Sequence, residues 1–306
     1  MKQVVARLLL ACACGLSFWS TSASARIESV PGVTHFRDTI LSGGRSRNAL
    51  FFRPTTARST APALLILLHY KGGNAEDMAA LTQVQLLVRD FGIWVALPES
   101  VLGGWNNDPA NDTGVDDVGY LSRLIDSATA RFGLNRSRIY LAGYSAGGFM
   151  ALRYACEQPS RVAAVASVAA ALSIQQNARC YPSVPTPIAM INGTGDSRVR
   201  YDASTGMLTV PGTARRWAQI NGCPTGPSHS LLPDLAPGDK TRVEMDQWKA
   251  CGASGTGEVR LYTVDDGGHT WPDSDNNCLL CGRVSYDIDG TLTIWNFVKR
   301  FRRLAP

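Results

Sequence analysis

A serine in a glycine-rich segment is the strongest candidate for chemistry in this 306-residue chain. Gly143-Tyr144-Ser145-Ala146-Gly147 matches the pattern G-x-S-x-G, with an aliphatic run before it and helical spacing after it. A serine on a tight turn between strand and helix projects its hydroxyl above the sheet edge, where N–H groups of the helix N-terminus favour negative charge. This context predicts a nucleophilic Ser145; the alternative is a glycine-rich turn with Ser145 as helix N-cap.

A serine hydroxyl needs a neighbouring base, and two histidines follow Ser145 in the chain. His229 lies in a stretch rich in Pro and Gly, where a surface loop explains it. His269 follows two glycines, directly after an aliphatic run at 259–264 that is typical of a strand. A tight loop at a strand end suits a base that must reach a nucleophile. We therefore predict that His269 is the base, with a structural loop histidine as the alternative.

The base needs an acid to orient its ring. The Ser145 segment resembles the nucleophile turn of α/β-hydrolases, in which the chain order is Ser, then Asp or Glu, then His. Asp196 closes Gly193-Thr194-Gly195-Asp196, which follows a predicted strand at 188–192, so it is our candidate acid. Asp202 is the second candidate. An Asx turn that closes the loop is the structural explanation for Asp196.

Two backbone donors should face the oxyanion of a tetrahedral intermediate. One is the N–H of Ala146, the residue after the nucleophile, and the other should come from the loop that follows an early strand. That loop is His69-Tyr70-Lys71-Gly72-Gly73. We predict the N–H of Lys71 as the second donor, with the N–H of Tyr70 as the alternative and His69 as a brace for the loop.

Strands and helices alternate along the chain and must position these groups. Uninterrupted aliphatic runs predict strands buried between two layers, at 63–68, 93–97, 138–142, 162–168, 188–192 and 259–264. Helical spacing of apolar residues occurs at 77–89, 116–131, 146–156, 213–221 and 291–301. This alternation predicts an α/β fold with a mostly parallel sheet and helices on both faces. Runs at 34–41 and 48–53 around Ser42-Gly43-Gly44-Arg45 predict an N-terminal antiparallel hairpin.

One segment, 224–257, breaks the alternation because it is rich in Pro, Gly, Ser and Asp. Cys223 and Cys251 bracket it. We interpret residues 26–306 as a single catalytic domain with a disulfide-stapled excursion around 223–257, rather than as two domains.

The N-terminus resembles a targeting segment. Lys2 and Arg7 precede an apolar stretch too short for a spanning helix, and Ala23-Ser24-Ala25 fits an A-x-A cleavage site. We predict a signal peptide at 1–25 and a secreted protein, extracellular or periplasmic; an uncleaved anchor is the alternative.

The charge balance excludes one class of partner. Removal of Lys2 and Arg7 lowers the formal net charge from +5 to +3, and no basic run remains. Nucleic acid is therefore not an expected partner. Beyond the N-terminal stretch, no apolar run is long enough to span a bilayer, so we expect no membrane association after cleavage.

The cysteine count also favours export. Cys12 and Cys14 leave with the signal peptide, and an even number in an exported chain suggests disulfides; the remaining six allow fifteen pairings. We favour the pairs Cys156–Cys180, Cys223–Cys251 and Cys278–Cys281. The last pair could also be half of a zinc site or a redox motif, but no second C-x-x-C accompanies it.

Together these segments resemble the poly(3-hydroxybutyrate) depolymerase-like esterases, a group similar to the family-one carbohydrate esterases, which include feruloyl and acetylxylan esterases. Gly267-Gly268-His269-Thr270-Trp271-Pro272 is the most specific match. The other matching segments are 69–75, 105–107, 116–121, 143–150, 192–201 and 217–223.

The resemblance implies an α/β-hydrolase fold, a triad of Ser145, Asp196 and His269, no metal and no organic cofactor. It also implies a disulfide between Cys223 and Cys251. One position departs from the family, which usually has His-Gly where this chain has His69-Tyr70. A side chain there could crowd the acyl site or shift the second oxyanion donor.

The resemblance also implies a carboxylic ester substrate, either a hydroxybutyrate-type ester or oligomer or, alternatively, a feruloyl or acetylxylan ester. Because no linker or binding module follows the closing helix, we expect soluble or small esters. A non-catalytic binding protein and a serine peptidase are further alternatives. Tyr70, Trp105, Tyr144 and Trp271 are expected to contact the substrate, with core packing as the alternative for the two tryptophans.

Overall fold

A ten-stranded mixed sheet runs through the computed structural model, which describes residues 27–303 apart from 102, 109–112, 203–204, 254, 276–277 and 279. The strands are β1 (Val33–Ser42), β2 (Arg45–Pro54), β3 (Leu64–Leu68), β4 (Trp94–Pro98), β5 (Ile139–Tyr144), β6 (Ala164–Val168), β7 (Ile188–Gly193), β8 (Ser228–Leu231), β9 (Arg242–Trp248) and β10 (Val259–Asp265). Their order across the sheet is β1-β2-β4-β3-β5-β6-β7-β10-β9-β8. The predicted signal peptide, with Cys12 and Cys14, lies outside the described residues.

The strand directions explain where a site can form. The six central strands, from β4 to β10, run parallel, so their carboxyl ends meet at one edge. An antiparallel pair flanks them on each side: β1 with β2, and β9 with β8. The predicted N-terminal hairpin is therefore present, and the predicted mostly parallel sheet is confirmed.

Two layers of helices cover the sheet. The helices are α1 (Ala75–Thr82), α2 (Val84–Phe91), α3 (Asp117–Phe132), α4 (Ala146–Glu157), α5 (Ile174–Arg179), α6 (Val210–Ile220) and α7 (Gly290–Val298). On β3, Leu64, Ile66 and Leu68 face the layer that contains α3, α4 and α6. Leu65 and Leu67 face the layer that contains α1, α2 and α7. Burial of each of these side chains stabilises the fold by roughly 1.5–3 kcal/mol.

The predicted single helix at 77–89 is two helices in the structure, which is a correction. α1 and α2 meet at Gln83, whose φ of 48° lies in the left-handed region and ends the first helix. The carbonyl of Thr82, freed by this break, accepts a hydrogen bond from Thr291 Oγ1 of α7 at 2.8 Å. Thr291 is 209 residues from Thr82 along the chain, so the local spacing of apolar residues could not reveal this contact.

The stapled excursion contains strands that the sequence pattern did not predict. Its chain forms β8 and β9, which extend the central sheet beyond β10 by antiparallel pairing. Cys223 and Cys251 close it with a disulfide. The other two disulfides of the described residues join Cys156 to Cys180 and Cys278 to Cys281, the pairs that the sequence favoured.

Candidate active site

The turn between β5 and α4 holds Ser145 in a strained backbone conformation. Its φ of 52° and ψ of −118° are unusual for a residue with a side chain. Two glycines permit the turn. A Cβ atom on Gly143 would lie 2.2 Å from the carbonyl oxygen of Gly147, and one on Gly147 would lie 2.2 Å from the carbonyl oxygen of Leu68. The backbone of this turn therefore packs directly against the backbone of neighbouring segments, and the Ser145 side chain lies at the sheet edge.

Three side chains from distant parts of the chain meet at this edge. The Nε2 atom of His269 lies 2.9 Å from Ser145 Oγ, and its Nδ1 atom lies 2.7 Å from Asp196 Oδ2. His269 and Asp196 are buried, whereas Ser145 is partly exposed. Because Ser145 follows β5, Asp196 follows β7 and His269 follows β10, the parallel strands deliver all three to one place.

The carboxylate of Asp196 is fixed on both oxygens. While Oδ2 faces the imidazole, Oδ1 accepts hydrogen bonds from the backbone N–H groups of Arg198 and Val199, each at 2.8 Å. This double attachment prevents the carboxylate from rotating away from His269. Asp202, the second candidate acid, is exposed. Among the described residues, the carboxylate that contacts His269 Nδ1 is that of Asp196.

The arrangement can take a proton from the Ser145 hydroxyl. A carboxylate accepts hydrogen bonds, so its contact assigns the proton of neutral His269 to Nδ1. Nε2 then presents a lone pair to the Ser145 hydroxyl. An imidazole in this state can take the serine proton as the oxygen attacks an electrophile, and the imidazolium formed lies beside a carboxylate.

The predicted oxyanion donors lie on neighbouring strand exits. Leu68 at the end of β3 pairs with Gly143 on β5, so the 69–73 loop and the nucleophile turn leave the same edge side by side. Ala146 is the first residue of α4, where backbone N–H groups have no partner within the helix. Lys71 is exposed in its loop. The assignment of the N–H groups of Ala146 and Lys71 as the oxyanion hole stays a prediction.

His69 braces this loop as a neutral imidazole. Its Nδ1–H donates to the Tyr70 carbonyl at 2.7 Å, and its Nε2 accepts from the Ser100 N–H at 3.1 Å. Burial lowers the pKa of His69 below its ordinary value, although the Tyr70 carbonyl and the carboxylate of Glu99 oppose this shift. The ring therefore connects the exits of β3 and β4.

The four aromatic residues expected at the substrate differ in exposure. Trp105 is buried, and its indole N–H donates a hydrogen bond to the His69 carbonyl. Trp271 is 1% exposed, and its indole N–H donates to Thr291 Oγ1. Tyr144 is also buried. A buried indole or phenol normally bonds a polar partner, so these contacts favour support of the site over contact with substrate.

Tyr70 alone among the four is partly exposed. Its ring packs edge-on against Tyr144, with ring centroids 5.5 Å apart, and it lies over Gly73, where a Cβ atom would approach it to 2.9 Å. Tyr70 therefore remains our candidate for a side chain that contacts substrate.

Sequence reasoning missed one support of the turn that carries Ser145. Asn107 donates from its side chain to the Ala146 carbonyl at 3.3 Å, and the amide of Gln176 donates to the main-chain carbonyl of Asn107. Gln176 also forms a capping box with Ser173 at the start of α5. The Ser-x-x-Gln spacing was a readable signal for that helix start, but nothing in the sequence connects it to Asn107.

A cavity of about 810 Å³ opens at the opposite edge of the sheet. Its lining includes Arg136, Ala163 and Pro187, which precede β5, β6 and β7. The six residues of β5 place roughly 20 Å between this edge and the triad. The cavity is therefore separate from the candidate active site. Within the described ranges, no three His, Cys, Asp or Glu side chains are grouped so as to hold a metal ion.

Comparisons with known proteins find similarity to named esterases. The chain is 30% identical over 229 residues to NocK of Nocardia uniformis subsp. tsuyamanensis, which its name assigns to the esterases; the match covers 68% of this chain and 65% of NocK. It is 28% identical over 261 residues to feruloyl esterase B of Piromyces equi, covering 80% of this chain and 43% of that protein. The chain thus spans less than two thirds of each relative.

A solved structure supports the fold. The acetyl xylan esterase from Aspergillus awamori superposes with a TM-score of 0.59 at 14% identity, covering 77% of this chain and 94% of that one. The family model described as esterase PHB depolymerase matches residues 46–200, just over half of the chain. That range includes Ser145 and Asp196. With an α/β-hydrolase sheet and this match, the chain belongs to the esterase PHB depolymerase family.

Proposed function

We propose that this chain is a serine esterase that hydrolyses carboxylic esters through an acyl-enzyme intermediate on Ser145. The observation that carries the proposal is the continuous contact from Ser145 Oγ through the His269 ring to Asp196, at 2.9 and 2.7 Å. Membership of an esterase family supports the same reaction type.

The proposed reaction has two stages. In the first, His269 Nε2 takes the Ser145 proton while Oγ attacks the ester carbonyl, and the resulting imidazolium returns the proton to the departing alcohol. In the second, a water molecule attacks the acyl carbonyl carbon and loses a proton to His269 Nε2. The imidazolium then gives this proton to Ser145 Oγ as the bond from Oγ to the acyl carbon breaks, which releases the acid. Asp196 holds the ring in the required tautomer during both stages.

Charge develops on the carbonyl oxygen in each tetrahedral intermediate. We assign its stabilisation to the N–H groups of Ala146 and Lys71, with Tyr70 as the alternative to Lys71. Loss of one such donor typically costs about 3–4 kcal/mol of barrier stabilisation. The exposed position of Lys71 at the loop fits a donor that faces incoming substrate.

Two substrate classes have support. The family description favours hydroxyacyl esters of the polyhydroxybutyrate type, whereas the relative from Piromyces equi is named a feruloyl esterase and the solved neighbour an acetyl xylan esterase. We propose a small or oligomeric hydroxyacyl ester as substrate and keep the carbohydrate ester as the second candidate. Hydrolysis of one class but not the other decides between them.

Export is part of the proposal. Disulfides persist in oxidising compartments, and the structure contains three of them in its described residues. We place the protein outside the cytoplasm, in the medium or the periplasm, on this ground and on the predicted signal peptide. In the described residues, no helix has the length and apolar character needed to cross a bilayer.

The test compares Ser145→Ala with the wild type on hydroxybutyrate oligomers, feruloyl esters, acetylated xylan and a peptide anilide. The matched control is Ser160→Ala, an exposed serine at the opposite edge. We expect Ser145→Ala alone to lose ester turnover, by about a millionfold in kcat where a nucleophile is removed. A fluorophosphonate should label Ser145 in the wild type. Equal turnover by both variants, or no labelling of folded protein, would contradict the proposal and favour a binding protein; turnover of the anilide instead would favour a peptidase.

A further inference from the structure

Both main-chain polar groups of His269, its N–H and its carbonyl, form hydrogen bonds to other segments. The contacts among Ser145, His269 and Asp196 do not themselves include these bonds. The His269 N–H donates to the carbonyl of Cys281 at 2.6 Å, and its carbonyl accepts from the Tyr144 hydroxyl at 2.6 Å. These two bonds fix the peptide groups on either side of the residue that carries the imidazole. Any rotation of that backbone would change the distance from Nε2 to Ser145 Oγ.

The first bond comes from Cys281, in a loop at 280–283 that the Cys278–Cys281 disulfide anchors. The loop runs closely beside the histidine segment, since the Gly268 N–H donates to the Arg283 carbonyl at 2.9 Å and Thr270 Oγ1 donates to the same carbonyl at 3.1 Å. A Cβ atom on Gly268 would lie 1.9 Å from the Cys281 carbonyl oxygen. The approach therefore requires glycine directly before the histidine.

The second bond comes from the residue directly before the nucleophile. Tyr144 is the last residue of β5, and its ring lies 5.4 Å from the His269 ring and 6.1 Å from Trp271 between centroids. One rigid strand thus carries Ser145 and, through the preceding side chain, holds the backbone of the base. A hydroxyl that bonds a carbonyl in a buried site is costly to replace, because the carbonyl is left without that donor.

We propose that Tyr144 and the 280–283 loop, anchored by Cys278–Cys281, are positioning elements that hold His269 in register with Ser145. This inference rests on the proposed function of that site. The Tyr144 hydroxyl and the loop both bond the main chain of His269 rather than its imidazole nitrogens, so these bonds act through that main chain. Their loss should slow the step in which His269 takes the serine proton and leave substrate affinity unchanged.

The first test replaces Tyr144 by Phe, which keeps the ring and removes the hydroxyl. Tyr140→Phe is the matched control, since Tyr140 is also buried on β5 and its hydroxyl donates to a main-chain carbonyl, that of Phe301, at 2.9 Å. With p-nitrophenyl acetate, we expect Tyr144→Phe to lower kcat about tenfold with KM unchanged. Tyr140→Phe should stay within about twofold of the wild-type kcat, and the same kcat in both variants would overturn the role of Tyr144.

The second test removes the disulfide with Cys278→Ser and Cys281→Ser together. The control removes the disulfide of the excursion with Cys223→Ser and Cys251→Ser, and both proteins are assayed well below their melting temperatures. We expect the first double variant to lose about three- to tenfold in kcat, because small misplacements of a catalytic group slow the reaction. The control should retain its kcat. Equal kcat values in the two double variants would overturn the role of the loop.

Fluorophosphonate labelling separates this inference from the proposed function. Labelling depends on the Ser145–His269 pair and needs no knowledge of the natural substrate. Absence of labelling in the wild type contradicts the esterase itself. Labelling of the wild type, with equally fast labelling of Tyr144→Phe and of the Cys278/Cys281 double variant, contradicts only the positioning role. Slower labelling of these two proteins than of their controls supports it.

Discussion

The backbone conformation of Ser145 determines whether its side chain can act as a nucleophile. Its positive φ is tolerated because β5, α4 and the β3 exit pack backbone against backbone at Gly143 and Gly147. The strained conformation is confined to Ser145, but the contacts that stabilise it come from β5, α4 and the segment after β3. A single added methyl group is therefore enough to disturb the site.

Gly147→Ala tests this close packing. The new Cβ would lie 2.2 Å from the Leu68 carbonyl oxygen, which is backbone and cannot turn aside. We expect a loss of about 1–3 kcal/mol of unfolding free energy, as for other overpacked sites, together with loss of esterase turnover. Gly226→Ala is the control, because a Cβ there meets nothing within 4 Å. Urea unfolding and ester turnover provide the two measurements, and unchanged values for Gly147→Ala would refute the argument.

His69 gives the fold a pH dependence of known sign. Burial lowers its folded pKa below the ordinary 6.5, so the unfolded chain binds more protons as the pH falls through that value. Stability should then rise with pH through this window and decrease on acidification, because protonated Nε2 would face the Ser100 N–H, which is also a donor.

Comparison with His69→Gln isolates this contribution. The variant lacks the titrating ring, so its unfolding free energy should decrease less than that of the wild type between pH 7.5 and pH 5. At pH 7.5 it should be the less stable protein, by about 1–2 kcal/mol, for the lost hydrogen bonds. Urea titrations at both pH values measure the difference. Parallel pH profiles for the two proteins would show that His69 does not carry this dependence.

At the scale of the element, burial decides which strands and helices the sequence reveals. The six parallel strands have near-continuous apolar runs because both faces are covered, so each was predicted to within two residues at either end. β8, with the sequence Ser-His-Ser-Leu, is mostly exposed and is held by backbone pairing with β9. Pairing of this kind leaves no apolar pattern in the sequence, so no strand was predicted within the excursion.

The break between α1 and α2 gives a prediction for one position. Gln83 is exposed and adopts a left-handed conformation that costs a residue with a side chain about 1 kcal/mol, whereas glycine adopts it freely. Gln83→Gly should therefore leave stability unchanged or raise it by up to about 1 kcal/mol. Arg123→Gly, at an exposed position inside α3, should lower it by about 1 kcal/mol. Thermal unfolding of both variants provides the test, and a loss in Gln83→Gly equal to that in Arg123→Gly would contradict the role of the turn.

At the scale of the whole molecule, the parallel sheet explains why part of the candidate site could be predicted. Ser145, Asp196 and His269 each follow a predicted strand, and parallel strands end at a common edge, so order along the chain implied proximity in space. Tyr144 and Gln176 carry no such signal. Their partners are main-chain carbonyls of His269 and Asn107, whose position depends on loops that the sequence pattern does not specify.

The three disulfides should contribute unequally to the stability of the whole fold. A disulfide restricts the unfolded chain according to the loop it closes, and Cys223–Cys251 spans 28 residues whereas Cys278–Cys281 spans 3. The expected contributions are about 3–4 kcal/mol for the long loop and about 2 kcal/mol for the short one. Serine replacement of each pair, followed by urea unfolding, should therefore lower the midpoint more for the Cys223–Cys251 variant. The Cys223–Cys251 disulfide anchors the excursion rather than the loop beside His269. We therefore expect the Cys223–Cys251 variant to lose more stability than the Cys278–Cys281 variant and yet to retain ester turnover. A larger loss of stability on removal of Cys278–Cys281 would mean that the loop beside His269 holds the fold together, rather than chiefly the base.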